Sequence, residues 1–341
     1  MRKIPIAEAV GLTLCHDITR IIPGQVKKRA FKRGHLITAE DIPVLLNLGK
    51  EHIFVWEDDE ELIHEDEAAL TLAKAAAGQD LNLTEPNQGK VSIVAGIDGL
   101  LKVRTDILDR LNDIDGIILA SLHNNRVIQR GTVVAGTRII PLAIESHKLA
   151  RAEMICAGDG PLLSIKPFRP LRVGIITTGN EVYKGRIKDG FCSVISQKIS
   201  DFGASMLRQV IVPDDSNVIS GEILQFIADG AELIFVTGGM SVDPDDVTPT
   251  GIRRTGAQVV FYGVPVLPGS MLMLAYHGNI PVCGIPGCVM FNGITSFDLI
   301  LPHLFAGERL TRSWAVSLGH GGLCKECPEC HYPECAFGRS L

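Results

Sequence analysis

Between residues 171 and 302, short unbroken apolar runs alternate with segments of helical spacing. Runs at 171–177, 206–212, 232–237, 258–262 and 280–285 read as strands, and 193–202, 216–228 and 249–254 read as helices. Strands that are apolar at every position are buried on both faces. Alternating with helices, they predict an α/β fold with a mostly parallel sheet and helices on both faces. In such sheets ligands sit beyond the carboxyl ends of the strands.

Upstream the pattern is shorter and mixed. Residues 3–6, 11–18 and 53–55 read as β segments separated by the turn signals Pro23-Gly24 and Arg33-Gly34. A helix is predicted over 38–48, capped by the Thr38 hydroxyl and stopped at Gly49. Further on, 65–77 is a strong helix closed by Gly78. Strand-like 90–95, helical 102–111, strand-like 116–121 and extended 126–128 and 132–140 follow. No catalytic constellation is visible there, and His123 beside Asn124 and Asn125 reads as a surface residue in a turn. The chain therefore divides into a β-rich module (1–56), an α+β region without an assigned role (57–170), the α/β domain (171–310) and a cysteine-rich tail (311–341).

Composition narrows the partners. The 341 residues are 46% apolar and 21% charged, as in an ordinary globular protein. Lys and Arg number 33 against 39 Asp and Glu, a net charge of −6, and no basic block interrupts it. The cluster Lys27, Lys28, Arg29, Lys32, Arg33 reads as a solvated loop face, so nucleic acid is not an expected partner. The segment MRKIPIAEAV lacks a signal-peptide core, and no apolar stretch approaches the roughly 18 residues a membrane span needs. Five of nine cysteines are scattered and four crowd the last 18 residues, which points to a reducing cytoplasm and a metal site.

Three strand ends carry unusual turns: Thr177-Thr178-Gly179-Asn180-Glu181, Thr237-Gly238-Gly239-Met240-Ser241 and Gly284-Ile285-Pro286-Gly287-Cys288, with Pro268-Gly269-Ser270 in an irregular connection nearby. Glycine lets a ligand approach the backbone, and a turn that opens a helix offers free N–H groups to an anion. Glu181, Asp214, Asp215, Asp243, Asp245 and Asp246 lie at or just past strand ends. Carboxylates beside a bound phosphate require a bridging divalent cation, for which Mg²⁺ is the usual choice. Alternatively, Asp246 or Thr248 simply caps the helix that Pro249 opens. GxxxxGK[ST], GxGxxG after the first strand, and GxSxG are all missing from the sequence, which removes the commonest nucleotide and hydrolase readings.

The segments VGIITTGNEV, GRIKDGF, IVPDD, TGGMSVDPDDV, the Pro-Gly at 268–269 and GIPG at 284–287 resemble, in this order, the molybdopterin-binding domain of molybdopterin molybdotransferases and adenylyltransferases. The resemblance implies a dithiolene pterin phosphate, molybdopterin or its adenylylated form, as ligand. It implies Mg²⁺-assisted cleavage of the adenylylated pterin with molybdate insertion as reaction, and a homo-oligomer as assembly. Carried over by position, Asp189, Asp214 (or Asp215) and Asp246 would be catalytic. Thr178, Gly179, Glu181, Gly238, Gly239, Ser241, Pro268, Gly269, Pro286 and Gly287 would bind the cofactor. This chain departs from the family at Asn180, Phe191, Leu267, Ser270 and Cys288, which remove a carboxylate, an amide and two lysines. Cys288 is either an inert thiol at a helix start or a reactive one with lowered pKa. Enzyme activity is therefore left open. The alternatives are a non-catalytic molybdopterin carrier or sensor that docks onto a molybdoenzyme, and a nucleotide pyrophosphatase like the relatives of the competence/damage-inducible family. LCHDIT, Pro23-Gly24 and FKRGHLI resemble a small SAF-like module.

Cys324, Cys327, Cys330 and Cys335 are spaced C-x₂-C-x₂-C-x₄-C, with His331 beside the third. The spacing predicts a tetrahedral thiolate shell for Zn²⁺, with an iron–sulfur cluster as competitor and two disulfides third.

Overall fold

The computed structural model describes residues 2–22, 24, 26–55, 61–158 and 160–339. The turn signal at Pro23 and the expected boundary near residue 56 lie outside them. The chain gathers into two compact units. One comprises Met1–Ile97, Lys102–Asn124 and Arg130–Ser164, and the other Asp98–Leu101, Asn125–Gln129 and Ile165–Leu341. The cysteine tail thus belongs to the second unit, and its Tyr332 and Phe337 pack into that unit's core.

In the first unit, Arg2–Pro5 pairs antiparallel with His52–Val55, and Ile18–Ile22 forms a hairpin with Val26–Phe31. A small core of Ile6, Leu14, Ile18, Ile37, Leu45 and Ile53 lies under the helix Asp41–Asn47. Three expectations are corrected here. Within residues 11–18 only Ile18 joins a strand, Thr13 and Leu14 making isolated bridges, and the basic cluster begins on a hairpin strand instead of a loop, with Arg29 paired to Asp17 at 2.8 Å. Nor does the Thr38 hydroxyl cap a helix: it donates to Asp41 at 2.9 Å, as does its backbone N–H. A four-stranded antiparallel sheet follows, ordered Leu81–Leu83, Lys90–Ala95, Val133–Ile139, Ile117–Ser121. The helices Glu65–Ala76 and Thr105–Asn112 pack on it, and Ser146–Cys156 packs against those two helices. The helix expected from residue 102 starts at 105, because Gly99–Val103 is a largely buried strand.

The second unit holds a six-stranded sheet. We number its strands β1 (Arg172–Thr178), β2 (Ser205–Val212), β3 (Leu233–Thr237), β4 (Gln258–Tyr262), β5 (Met273–His277) and β6 (Ile280–Ile285). The spatial order is β2-β1-β3-β6-β5-β4. β2, β1, β3 and β6 run parallel, while β5 and β4 are antiparallel additions at one edge. Its helices are α1 (Asn180–Tyr183), α2 (Phe191–Ser200), α3 (Ser216–Ala228), α4 (Thr248–Arg254), α5 (Ser296–Phe305) and α6 (Arg312–Ser317).

Alternation along the strands divides the core in two. Val173, Ile175, Leu233, Phe235, Cys283 and Ile285 pack with Phe191, Ile195 and Ile199 of α2 and Phe297 and Ile300 of α5. Ile176, Ile234, Val236 and Val282 pack with Ile219, Ile223 and Phe226 of α3 and Ile252 of α4. Each central strand therefore buries both faces, which is why its sequence is apolar throughout. Gly174 makes room for α3, since a Cβ there would stand 2.5 Å from the Phe226 ring. Strand β5 and helix α5 were not expected from the pattern. Among the described residues, no helix is long and apolar enough to cross a membrane.

Candidate functional site

The turn after β3 is held from three sides. Gly238 and Gly239 take φ values of +84° and +53°, which L side chains rarely adopt. A Cβ on Gly238 would lie 2.2 Å from the Thr178 carbonyl oxygen, so the end of β1 rests directly on this turn. The Thr248 hydroxyl donates to the Gly238 carbonyl at 2.9 Å and meets the Thr178 hydroxyl at 3.3 Å. Met240 is buried and covers Gly284, where a Cβ would come within 2.5 Å of its sulfur. The Tyr262 hydroxyl donates to the Met240 carbonyl at 2.9 Å, and burial together with the nearby Asp246 raises the tyrosine's pKa.

Pro268 and Gly269 form a second wall. Ser296 binds both, its backbone N–H donating to the Pro268 carbonyl at 3.2 Å and its hydroxyl to that of Gly269 at 2.5 Å. This seats the wall on the start of α5, where Thr295 and Asp298 complete a reciprocal cap. On the other side, the Leu267 N–H donates to Gly322 and its carbonyl accepts from the Cys324 N–H, both at 2.8 Å. The third wall is Pro286, followed by the short 3-10 helix Gly287–Met290.

These three walls enclose a cavity of about 470 Å³, lined by residues 238–241, Asp243, Asp246, 268–271 and 286–288. Of the expected cofactor-binding residues, Gly238, Gly239, Ser241, Pro268, Gly269, Pro286 and Gly287 meet there, with Asp246. Thr178 touches the cavity wall from behind, and Gly179 and Glu181 lie outside the lining. The lining contains two carboxylates and no lysine or arginine. Cys288 is also in it, and burial raises its thiol pKa above the ordinary value, which favours the inert-thiol alternative.

The other candidate carboxylates are engaged elsewhere. Asp189 accepts from the N–H groups of Phe191 and Cys192 at 2.9 and 3.1 Å, and from the Gln209 amide at 2.6 Å. It therefore anchors the start of α2. Asp214 accepts from the Asn180 N–H at 2.8 Å, joining the end of β2 to α1. Asp215 caps α3 through the N–H of Asn217 at 2.7 Å. Asp246 does not cap α4; its carboxylate accepts the Asp243 N–H at 3.1 Å across a four-residue turn. Nor does Thr248 cap α4, whose N-cap, Val247, makes no side-chain cap bond. Of the three aspartates assigned a catalytic role, Asp246 lines this cavity, while Asp189 and Asp214 hold helix starts. The parts that Met240, Thr248 and Tyr262 play in holding the turn are not legible in the sequence, where Thr248 reads only as a candidate cap: an isolated methionine, threonine or tyrosine carries no spacing signal.

The cysteine tail departs further from expectation. All nine cysteines are free thiols. Among the described residues, no three His, Cys, Asp or Glu side chains are grouped to hold a metal ion, so the closed four-thiolate shell is not formed. The reason is packing: Cys324 and Cys335 are drawn against the apolar core, while Cys327 and Cys330 stay exposed.

Residues 174–306 match the family described as "Probable molybdopterin binding domain", and residues 3–57 match one described as "Domain of unknown function (DUF8806)". The molybdopterin molybdenumtransferase of Synechococcus elongatus is 26% identical over 242 residues, covering 65% of this chain and 56% of that protein. Its namesake in Haemophilus influenzae is 24% identical over 160 residues, covering 45% and 39%. A solved structure of the tungsten cofactor synthesizing protein MoaB from Pyrococcus furiosus is 19% identical, covers 40% of this chain and 94% of its own, and gives a TM-score of 0.32. The chain spans 56% or less of the length of these two curated relatives. Residues 174–306 are thus similar to a family of molybdopterin-binding domains, and the match extends to that part of the chain.

Proposed function

We propose that the protein binds a molybdopterin-type pterin phosphate, free or adenylylated, in the cavity formed by the turns after β3 and β6 and the Pro268-Gly269 wall. It serves molybdenum cofactor biosynthesis by holding that pterin. The observation that carries this reading is the convergence of Gly238-Gly239, Pro268-Gly269 and Pro286-Gly287 on one space of about 470 Å³. That volume falls in the range of small-ligand pockets, roughly 300–1,000 Å³. Because Asp243 and Asp246 line it without a lysine or arginine, a bound phosphate needs a cation between, and Mg²⁺ fits that donor set. Mg²⁺ would supply the positive charge that the side chains do not.

A second reading, Mg²⁺-assisted molybdate insertion, draws on Asp246 in the lining and on the curated relatives. The engagement of Asp189 and Asp214 in helix starts favours binding over transfer. Anaerobic calorimetry separates the two. Molybdopterin is expected to bind more tightly with Mg²⁺ present, and Asp246→Ala to reduce that affinity by roughly tenfold or more, about 1.4 kcal/mol. Binding that is indifferent to both Mg²⁺ and the substitution sinks the reading. Release of AMP from the adenylylated pterin on adding molybdate would establish transfer.

A further inference from the structure

All four tail cysteines line a single cavity of about 480 Å³. In one half of it a backbone N–H is already turned onto a sulfur. In Cys324-Lys325-Glu326-Cys327, Glu326 adopts φ +51°, a left-handed conformation uncommon outside glycine, and its N–H points at the Cys324 sulfur at 3.4 Å. The strained residue is what turns that amide round. Cys335 faces the same cavity from the core side, and Cys327 and Cys330 stand at its open margin. Exposed and unpacked, these last two can move inward without breaking core contacts.

We propose that this cavity is a metal site, taking one Zn²⁺ through the thiolates of Cys324, Cys327, Cys330 and Cys335, and that the tail closes over the ion as it binds. Thiol donors select soft or borderline metals, and four of them suit a closed structural zinc site. Each thiol gives up its proton to solvent on ligation, so binding releases protons and weakens in acid. Pro268 lines both this cavity and the candidate pterin cavity, and the strand of tail that pairs with Leu267 leads directly into Cys324. A closed tail would therefore brace the wall on which the pterin reading rests, although the metal site stands or falls independently of that reading.

The test uses the full chain, purified anaerobically from zinc-supplemented cells. About one zinc per chain is expected, retained by Cys192→Ser and lost by the double variant Cys327→Ser/Cys330→Ser. Because both tail positions are exposed, the double variant is expected to keep the wild-type circular dichroism spectrum. Chelator-stripped protein should bind one Co²⁺ with thiolate-to-cobalt absorption bands that zinc abolishes. Cys327→Ser alone should weaken Co²⁺ binding by roughly tenfold or more, since even the partners of metal ligands contribute that much. Four titratable thiols with no bound metal and no cobalt bands would overturn the proposal. So would iron with acid-labile sulfide in place of zinc.

Discussion

Gly238 and Gly287 both end a buried strand and both face the candidate pterin cavity, yet they are glycines for different reasons. At Gly238 the backbone is left-handed, and a methyl group would overlap the Thr178 carbonyl. At Gly287 the backbone lies outside that region and nothing stands within 4 Å of where a Cβ would be. One turn is full of protein, and the other leaves open space on the cavity side. A glycine-rich strand end is thus two different objects, and only the second kind speaks directly about binding.

The contrast breaks most readily at Gly238. Gly238→Ala combines a disfavoured φ with a clash against main chain, and about 3 kcal/mol of stability should be lost in urea unfolding. A loss below about 1 kcal/mol would mean that the turn is not locked. Asp189→Ala, which removes the acceptor at the start of α2, should cost about 1–2 kcal/mol. Mg²⁺-dependent pterin affinity should stay unchanged, because Asp189 lies outside the cavity lining; a large affinity change would return it to the site. Gly287→Ala should leave stability within about 0.5 kcal/mol of wild type while weakening the pterin complex. Equal affinity in the two proteins would move the ligand away from that wall.

The smallest effect concerns Cys288. Burial favours its protonated form, so its alkylation at neutral pH should be slower than that of exposed Cys327. Its rate should go on climbing as pH passes the ordinary thiol value of 9.0, because the thiolate fraction of a raised group is still growing there. Peptide mapping after pulsed iodoacetamide reads this directly, and a plateau below pH 9.0 would contradict the burial.

What the sequence made legible follows the same division. Strands β1, β3 and β6 were readable because burial on both faces leaves an unbroken apolar run. Strand β5, Met273–His277, sits just past a Pro-Gly-Ser turn and ends in Tyr276 and His277, so its sequence reads as irregular connection. Helix α5 was missed for a related reason. Nearly every residue in it is buried, so it shows no polar face and no period, and Pro302 lies inside it. At the site, the turns were legible as glycine and proline pairs. The distribution of carboxylates was not: Asp189, Asp214 and Asp246 share a residue type, but hydrogen bonds to Phe191, Asn180 and Asp243 assign them to different local structures. Which amide an aspartate accepts depends on chain geometry that the order of residues does not display.

The pairing of Leu267 with residues 322–324 also bears on when the cavity exists. Leu267 and Pro268 leave the ribosome well before Gly322 and Cys324, so the wall is translated long before the segment that fixes it. Until that later segment docks, the sheet can be complete while the Pro268 side lacks its anchor. A nascent chain stalled short of Gly322 should then carry a folded sheet with an unfinished pocket, and acquisition of the ligand becomes a late event in the life of the polypeptide.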